Sequence, residues 1–406
     1  MLCGLLGKTL SHSYSPQIHK QLGNYSYELF EKQPEELADF LMNGRFTGIN
    51  VTMPYKKDVI SYCNELTDCA KALGAVNTII RRPDGTLIGH NTDYFGFQYM
   101  LAKTGLSVSG KKVLVLGSGG ASVTAVAVLQ NAGAEAIVIS RSGANNYDNL
   151  CLHKDAAVII NATPVGMYPN AGISPVDLKL FPMLEGVLDI VYNPARTKLI
   201  LDAECRGIPC ENGLSMLVAQ AKEAAEWFIG KQIENSVITE IHETLRKQME
   251  NIVLIGMPGC GKTSTGQRIA EATGKRFIDT DAEIVRTAGM TISEIFIQEG
   301  EDGFRQRETA VLAQLGQGSG LIIATGGGCV TREENYRLLH QNGTIYWLQR
   351  DISSLPIDGR PLSQLGKLEE MWLNREPLYT RFADCIIDNN GTLENTVTKI
   401  LKGYGI

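Results

Sequence analysis

The sequence predicts an α/β chain made of two nucleotide-binding units. Three observations carry this expectation. At 406 residues, the chain exceeds one ordinary domain of about 150 residues. Apolar strand-like runs alternate with helix-like stretches along its whole length, the pattern of parallel sheets covered by helices. Two of those runs end in glycine-rich turns of different type, and a single domain needs only one.

Composition sets the outer limits. The chain is 44% hydrophobic and 20% charged, enough to bury a core and too apolar for disorder. Its net charge of −6 argues against a nucleic-acid binder or a polybasic membrane anchor. Met1 to Gly7 is apolar but short and lacks a basic flank, so no signal peptide is expected. No apolar run reaches the length of about 18 residues that a membrane span needs. The nine cysteines are scattered, and the closest pairs, Cys63/Cys69 and Cys205/Cys210, lack Cys-x-x-Cys spacing. Free thiols in a reducing cytoplasm, and no zinc site, are the expectation. The boundary between the units is expected near Arg246 to Asn251, where a helix-like stretch (Ile233 to Lys247) gives way to a strand without a Gly/Ser-rich linker.

In the first unit, the strand-like run 112–116 leads into Gly117-Ser118-Gly119-Gly120-Ala121, a turn suited to a dinucleotide pyrophosphate. A turn of this kind without a cofactor is the alternative. The next strand, 136–139, ends in Ser140-Arg141-Ser142. No acid stands there to read a ribose 2′-hydroxyl, and Glu135 lies at the opposite end of the strand. Arg141 is placed for a 2′-phosphate, which favours NADP over NAD; a solvated loop charge is the plainer reading. Upstream stand Ser11-His12-Ser13-Tyr14-Ser15-Pro16, Asn50-Val51-Thr52-Met53-Pro54-Tyr55-Lys56, Gly74-Ala75-Val76-Asn77-Thr78 and Gly89-His90-Asn91-Thr92-Asp93. Hydroxyls, amides, one lysine and one aspartate suit a polyhydroxylated acid, and Lys56 with Asp93 can act as a proton-transfer pair for carbonyl reduction. Alone, Lys56 would read as a surface residue, Asp93 as a helix cap and His12 as a structural loop histidine.

Together these stretches resemble shikimate dehydrogenase over about residues 1–245. The resemblance implies a discontinuous α/β substrate lobe (1–95 and 213–247) around a Rossmann NADP-binding lobe (96–212). It implies reversible reduction of 3-dehydroshikimate by NADPH, with Lys56 and Asp93 catalytic. Ser13 and Ser15 would hold the substrate carboxylate, and Thr52, Asn77 and Gln220 the ring hydroxyls. Tyr192, in Asp189-Ile190-Val191-Tyr192-Asn193-Pro194, would lie near the substrate. Gly117 to Ala121, Ser140 to Ser142, Thr163, Ile190 and Gly213 would meet the cofactor. Two positions depart from the family: Tyr94 stands where a glycine is usual, and Val123 where an arginine often follows Gly-Gly-Ala-Ser.

In the second unit, the run 252–255 leads into Gly256-x4-Gly261-Lys262-Thr263, the P-loop pattern. Its backbone N–H groups suit a triphosphate, Lys262 the β- and γ-phosphates, and Thr263 a Mg²⁺ ion. Phe277-Ile278-Asp279-Thr280-Asp281 reads as a strand end whose two carboxylates, two residues apart, share a face; helix capping is the alternative. Phe304-Arg305, Gly326-Gly327-Gly328, Arg360-Pro361-Leu362 and Arg375-Glu376-Pro377-Leu378-Tyr379 follow. Singly they are weak: Arg305 has Glu301 and Glu308 at helical spacing, as in a surface ion pair, and the glycines could be only a turn.

In this order the set resembles shikimate kinase, over about residues 250–390. That implies a P-loop fold of the nucleoside-monophosphate-kinase kind across 250–406. Gly259, Cys260, Gly261, Lys262, Thr263 and Ser264 would cradle ATP, and Arg360 would reach its phosphates. Thr263 and Asp279 would serve Mg²⁺. Asp281, Arg305, Gly327 and Arg375 would bind shikimate, with Asp281 as the base. The stretch between Leu348 and Arg360 is shorter than usual, and the late loop Asp388-Asn389-Asn390-Gly391 lacks the customary arginine. Both predict a raised Michaelis constant for ATP; steady-state kinetics returning a value typical of the family would contradict this. The whole chain is expected to be cytoplasmic, to act as a monomer or homodimer, and to have small molecules as its partners.

Overall fold

The computed structural model describes residues 1–10, 13–355 and 365–405. His12 and Arg360 therefore lie outside the described residues. Two compact units, Met1–Thr244 and Leu245–Ile406, divide the chain.

The first unit runs β1 (Leu2–Gly7), α1 (Ser15–Leu22), β2 (Ser26–Glu31), α2 (Leu37–Asn43), β3 (Gly48–Val51), β4 (Glu65–Leu66), α3 (Asp68–Leu73), β5 (Thr78–Arg81), β6 (Leu87–His90) and α4 (Asp93–Lys103). These strands form one mixed sheet, ordered β2-β1-β3-β5-β6-β4, with β5 antiparallel to both β3 and β6. Then come β7 (Lys112–Leu116), α5 (Gly120–Asn131), β8 (Glu135–Ile139), β9 (Val158–Asn161), β10 (Gly186–Asp189), α6 (Lys198–Cys205), β11 (Cys210–Asn212), α7 (Leu214–Ile229) and α8 (Ser236–Met249), within which the division after Thr244 falls. The second sheet is entirely parallel, ordered β11-β10-β9-β7-β8.

Period-two alternation explains how that sheet is covered. Val113 and Val115 pack on one face with Phe97, Met100, Ala125 and Leu129. Leu114 and Leu116 pack on the other with Leu199, Ile200 and Ala203. Burial on both faces is why β7 reads as an unbroken apolar run. Helix α7 then returns to the first sheet, where Ala224 and Phe228 cluster with Cys3. On the way it crosses α4 so closely that a Cβ on Gly96 would sit 2.8 Å from the Met216 carbonyl oxygen.

The second unit contains β12 (Asn251–Ile255), α9 (Lys262–Thr273), β13 (Arg276–Asp279), α10 (Thr280–Ala288), α11 (Ile292–Gly316), β14 (Leu321–Ala324), α12 (Glu334–His340), β15 (Gly343–Gln349), α13 (Leu365–Phe382), β16 (Cys385–Asp388) and α14 (Leu393–Tyr404). Its sheet is parallel, ordered β13-β14-β12-β15-β16. Helix α11 starts at a capping box, with Thr291 and Glu294 satisfying each other's backbone N–H groups. It bends at Gly300, whose φ is +70°. Among the described residues no helix is long and apolar enough to cross a membrane.

Candidate active sites

Each unit gathers its candidate residues at the carboxyl ends of parallel strands, where α/β proteins bind ligands. In the first unit, Gly117 follows β7, Ser140 to Ser142 follow β8, Thr163 follows β9 and Ile190 follows β10. Gly119 and Gly120 open α5, and a Cβ on either would meet no protein atom within 4 Å. The turn is thus open on the side where a pyrophosphate would approach the helix N-terminus. Arg141 is exposed and has no acidic partner among the described residues. Val123 lies on the first turn of α5, 45% exposed. Gly213, at the N-cap of α7, is demanded by packing: a Cβ there would lie 1.9 Å from the Ile190 carbonyl oxygen.

Beneath these turns lies a buried polar knot. Asp189, fully buried, accepts from Asn161 Nδ2 at 2.9 Å, Val191 N at 3.0 Å and Thr197 Oγ1 at 2.6 Å. Burial outweighs these donors and pushes its carboxyl up to about 6. Asn161 Oδ1 in turn accepts from the Thr163 hydroxyl at 2.6 Å. The knot fixes the turn that carries Thr163 and the loop that leads to Tyr192.

The mixed sheet carries the other candidate residues of the first unit. Lys56 Nζ donates to Asp93 Oδ2 at 2.6 Å, and the two side chains are 30% and 17% exposed. Asp93 is the first residue of α4, but its carboxylate is spent on Lys56 and makes no cap. Lys56 is correspondingly no free surface lysine. A half-buried ammonium held by a carboxylate can deliver a proton to an oxyanion. Asn77 is 3% exposed and tightly oriented: its Oδ1 accepts from Thr92 N at 2.7 Å and its Nδ2 donates to Thr92 Oγ1 at 3.1 Å. Thr92 Oγ1 also donates to Gln220 Oε1 at 3.3 Å, joining α7 to the group. Ser13 Oγ accepts from Ser15 N at 3.2 Å at the start of α1. Thr52 follows β3, tied by its backbone N–H to Leu6 O. Tyr14 and Tyr192 meet edge-on at 6.2 Å, and burial raises the Tyr192 phenol, with Tyr14 adding to it. Tyr94, at the position of the usual glycine, sits in the first turn of α4, where its hydroxyl accepts from Asn131 Nδ2 at 2.6 Å. Two residues behind Asn77 were not foreseen: Asn50 donates to Thr78 Oγ1 at 3.2 Å, and Thr78 donates to Asn77 Oδ1 at 3.1 Å.

In the second unit, one cavity of about 850 Å³ is lined by the P-loop residues Gly259 and Gly261 to Ser264 together with Asp279, Asp281, Arg305, Gly326 to Gly328 and Arg375. Gly256, Gly259 and Gly261 all hold positive φ, the backbone that turns successive N–H groups inward. Lys262 is buried and folds back on the loop, donating to Gly256 O at 2.8 Å and Met257 O at 3.0 Å. Thr263 Oγ1 donates to Asp279 Oδ2 at 2.8 Å.

One expectation for this site changes, and two plainer readings fall. The strand β13 stops at Asp279, whose side chain accepts from Asp281 N at 3.0 Å and caps α10. Asp281 therefore lines the cavity from a helix's first turn and not from a shared strand face; the cap stabilises the switch from strand to helix. Second, Arg305 is no surface residue. It is 9% exposed and Glu308 is 0% exposed, with Arg305 Nη1 to Glu308 Oε2 at 2.8 Å. Burial raises the Glu308 carboxyl, Arg305 pulls it down, and the nearby Asp281 pushes it up. Third, the triple glycine is more than a turn. A Cβ on Gly328 would lie 2.0 Å from Arg305 Nη2, and one on Gly327 would lie 2.7 Å from Pro258 Cδ. Gly327 O accepts from Arg375 Nη1 at 3.2 Å and from the Tyr379 hydroxyl. Glu308, Tyr379 and Asn389, whose amide reaches the P-loop, were not foreseen as site residues. Glu308 had a signal in its spacing from Arg305; Tyr379 and Asn389 stand in motifs named above, but nothing local reports what they contact.

Comparison with known proteins adds the following. Residues 258–404 match the family model described as shikimate kinase. Residues 5–79 match that of the shikimate dehydrogenase substrate binding domain. A shikimate dehydrogenase (NADP(+)) of Clostridium perfringens is 35% identical over 267 residues, covering 60% of this chain and 98% of that protein. The crystal structure of shikimate dehydrogenase 1 from Peptoclostridium difficile is 37% identical, with a TM-score of 0.55, over 60% of this chain and 97% of that one. A shikimate 5-dehydrogenase from Thermus thermophilus, solved in complex with NADP(H) and shikimate, is 30% identical, with a TM-score of 0.55, over 60% of this chain and 99% of that one.

Proposed function

Since the chain belongs to the shikimate dehydrogenase family and carries a shikimate kinase domain after it, we propose that it catalyses two consecutive reactions. The first unit reduces 3-dehydroshikimate to shikimate with NADPH. The second phosphorylates the 3-hydroxyl of shikimate with ATP. The observation that carries the pairing is the cavity of the second unit, where a P-loop faces Asp281, Arg305 and Arg375. That is a phosphoryl donor site set against a site for an alcohol that bears a carboxylate.

In the reduction, Ser13 and Ser15 hold the carboxylate, and Thr52, Asn77 and Gln220 hold the ring hydroxyls beside Tyr192. Asn77 can be selective because the Thr92 backbone and hydroxyl fix its amide. Bound NADPH supplies hydride to the C3 carbonyl. Lys56, oriented by Asp93, protonates the oxygen as negative charge develops on it. The open turn at Gly119 and Gly120 takes the pyrophosphate, with Gly117, Ser118 and Ala121 around it. Ser140, Arg141 and Ser142 take the 2′-phosphate, and Thr163, Ile190 and Gly213 border the nicotinamide side. With Val123 where a second cation often stands, Arg141 supplies the positive charge in that group. Arg141→Ala is expected to weaken 2′,5′-ADP binding, read by calorimetry, by about tenfold, and to leave the Michaelis constant for NADH unchanged. Equal loss for both nucleotides would contradict that role.

In the transfer, Gly259 to Ser264 cradle the triphosphate and Lys262 exchanges its loop carbonyls for phosphate oxygens. The Thr263 hydroxyl and Asp279, already paired, suit a hydrated Mg²⁺, which neutralises phosphate charge when bound. Arg305 and Arg375 hold the carboxylate, Gly327 lines the ring, and Asp281 takes the hydroxyl proton. Two assays on one purified chain test the reading: shikimate-dependent oxidation with NADP⁺ and shikimate-dependent ADP release with MgATP. Failure of either removes that half.

A further inference from the structure

We infer that Asn389, at the end of β16, is a positioning residue that aims the Gly261 N–H into the phosphate cradle by holding the other edge of the same peptide. The inference rests on the reading of the second unit as an ATP-using enzyme. A peptide group is planar, and its C=O and N–H point in opposite directions. Cys260 C=O and Gly261 N–H belong to one such plane. Cys260 is fully buried, so its carbonyl cannot turn to solvent, and an unpaired buried carbonyl is costly. Asn389 Nδ2 donates to that carbonyl and lies 3.8 Å from where a Gly261 Cβ would be. Gly261, at φ +96°, offers no side chain of its own to limit rotation of the plane.

Asn389 is itself fixed. It is 5% exposed, its N–H donates to Gln349 O at 2.8 Å, and its Oδ1 accepts from Thr396 Oγ1 at 2.6 Å. That last bond sets the amide so that nitrogen faces the P-loop. The carbonyls of Gly256 and Met257 are held differently, by Lys262 Nζ. Lys262 must leave them to reach a phosphate, whereas Asn389 has no such second task. The brace therefore persists through the ATP cycle.

The test uses the full chain with Asn389→Leu, which keeps bulk but lacks the donor, and Asn389→Asp, which sets a carboxylate against the carbonyl. The expected result is a Kd for MgADP and a KM for ATP raised about tenfold in Asn389→Leu and more in Asn389→Asp. The shikimate KM should stay within about twofold, because no described contact joins Asn389 to Arg305 or Arg375. Asn390→Ala, at the exposed neighbour, is the matched control, and dehydrogenase activity of the same chain reports the first unit. If both Asn389 variants lose the second unit's unfolding transition, Thr396→Val is read instead and should raise the MgADP Kd in the same direction. Unchanged nucleotide affinity, or ATP and shikimate constants rising together in step with lost stability, overturns the inference. A wild-type chain without shikimate-dependent ADP release would instead overturn the reading on which it rests.

Discussion

Lys56→Met is expected to lower kcat for shikimate oxidation by a factor on the order of 10² to 10⁴, the usual worth of a positioned acid or base. Methionine keeps the aliphatic stem but has no proton to give and none to accept. Asp93 then loses the ammonium 2.6 Å away. The KM for shikimate should change far less, because Ser13, Asn77 and Gln220 are positioned by separate bonds, Asn77 and Gln220 through Thr92. NADPH affinity, read by fluorescence, should be unchanged, since the cofactor turns stand on the parallel sheet. Unchanged NADPH affinity reports that the first unit is folded, and ADP release by the second unit should also be unchanged. A kcat within about threefold of wild type would remove Lys56 from the chemistry.

Asp281→Asn is expected to cost the second unit a comparable factor, on the order of 10² to 10⁴ in kcat, with the dehydrogenase rate intact. The amide is nearly isosteric and keeps the first turn of α10, whose cap comes from Asp279 and not from Asp281. It cannot take the hydroxyl proton. It also removes the negative charge that raises Glu308, so the Arg305–Glu308 pair should be no less stable. A fall in activity is then not explained by unfolding, and a single unchanged thermal transition for the second unit checks it. Undiminished ADP release would assign the proton to another acceptor.

Much of this was legible in the sequence because the signals are local. The strands at 112–116 and near 252–255 read clearly: each is an apolar run closed by a glycine turn. The end of β8 was legible as well, and with it the side on which Arg141 stands. The strand-to-helix switch at Asp279 was missed because a carboxylate two residues before another suits either a strand face or a cap. Which reading holds depends on whether Asp281 N–H turns back toward Asp279. The spacing of Arg305 and Glu308 was visible, but burial was not, because α11 carries charge on more than one side and packing decides which side faces in. Asn389 and Cys260 are 129 residues apart, and Asn50 and Thr78 are 28 apart. No local period reports such pairs; they exist only once the sheets are assembled. The later part of the shortened stretch, from residue 356 to Arg360, lies outside the described residues, so the expected rise in the ATP Michaelis constant is a matter for kinetics.

One polypeptide handles the same cyclohexene acid twice, first at a carbonyl and then at the hydroxyl made from it. The most direct measurement supplies the purified chain with 3-dehydroshikimate, NADPH and MgATP and follows products by mass. NADP⁺ and ADP should form in equal amounts at completion, with shikimate 3-phosphate as the end product. Asp281→Asn should accumulate shikimate with little ADP over the same time. Consumption of NADPH with no phosphorylated product from the wild-type chain would contradict the two-step account.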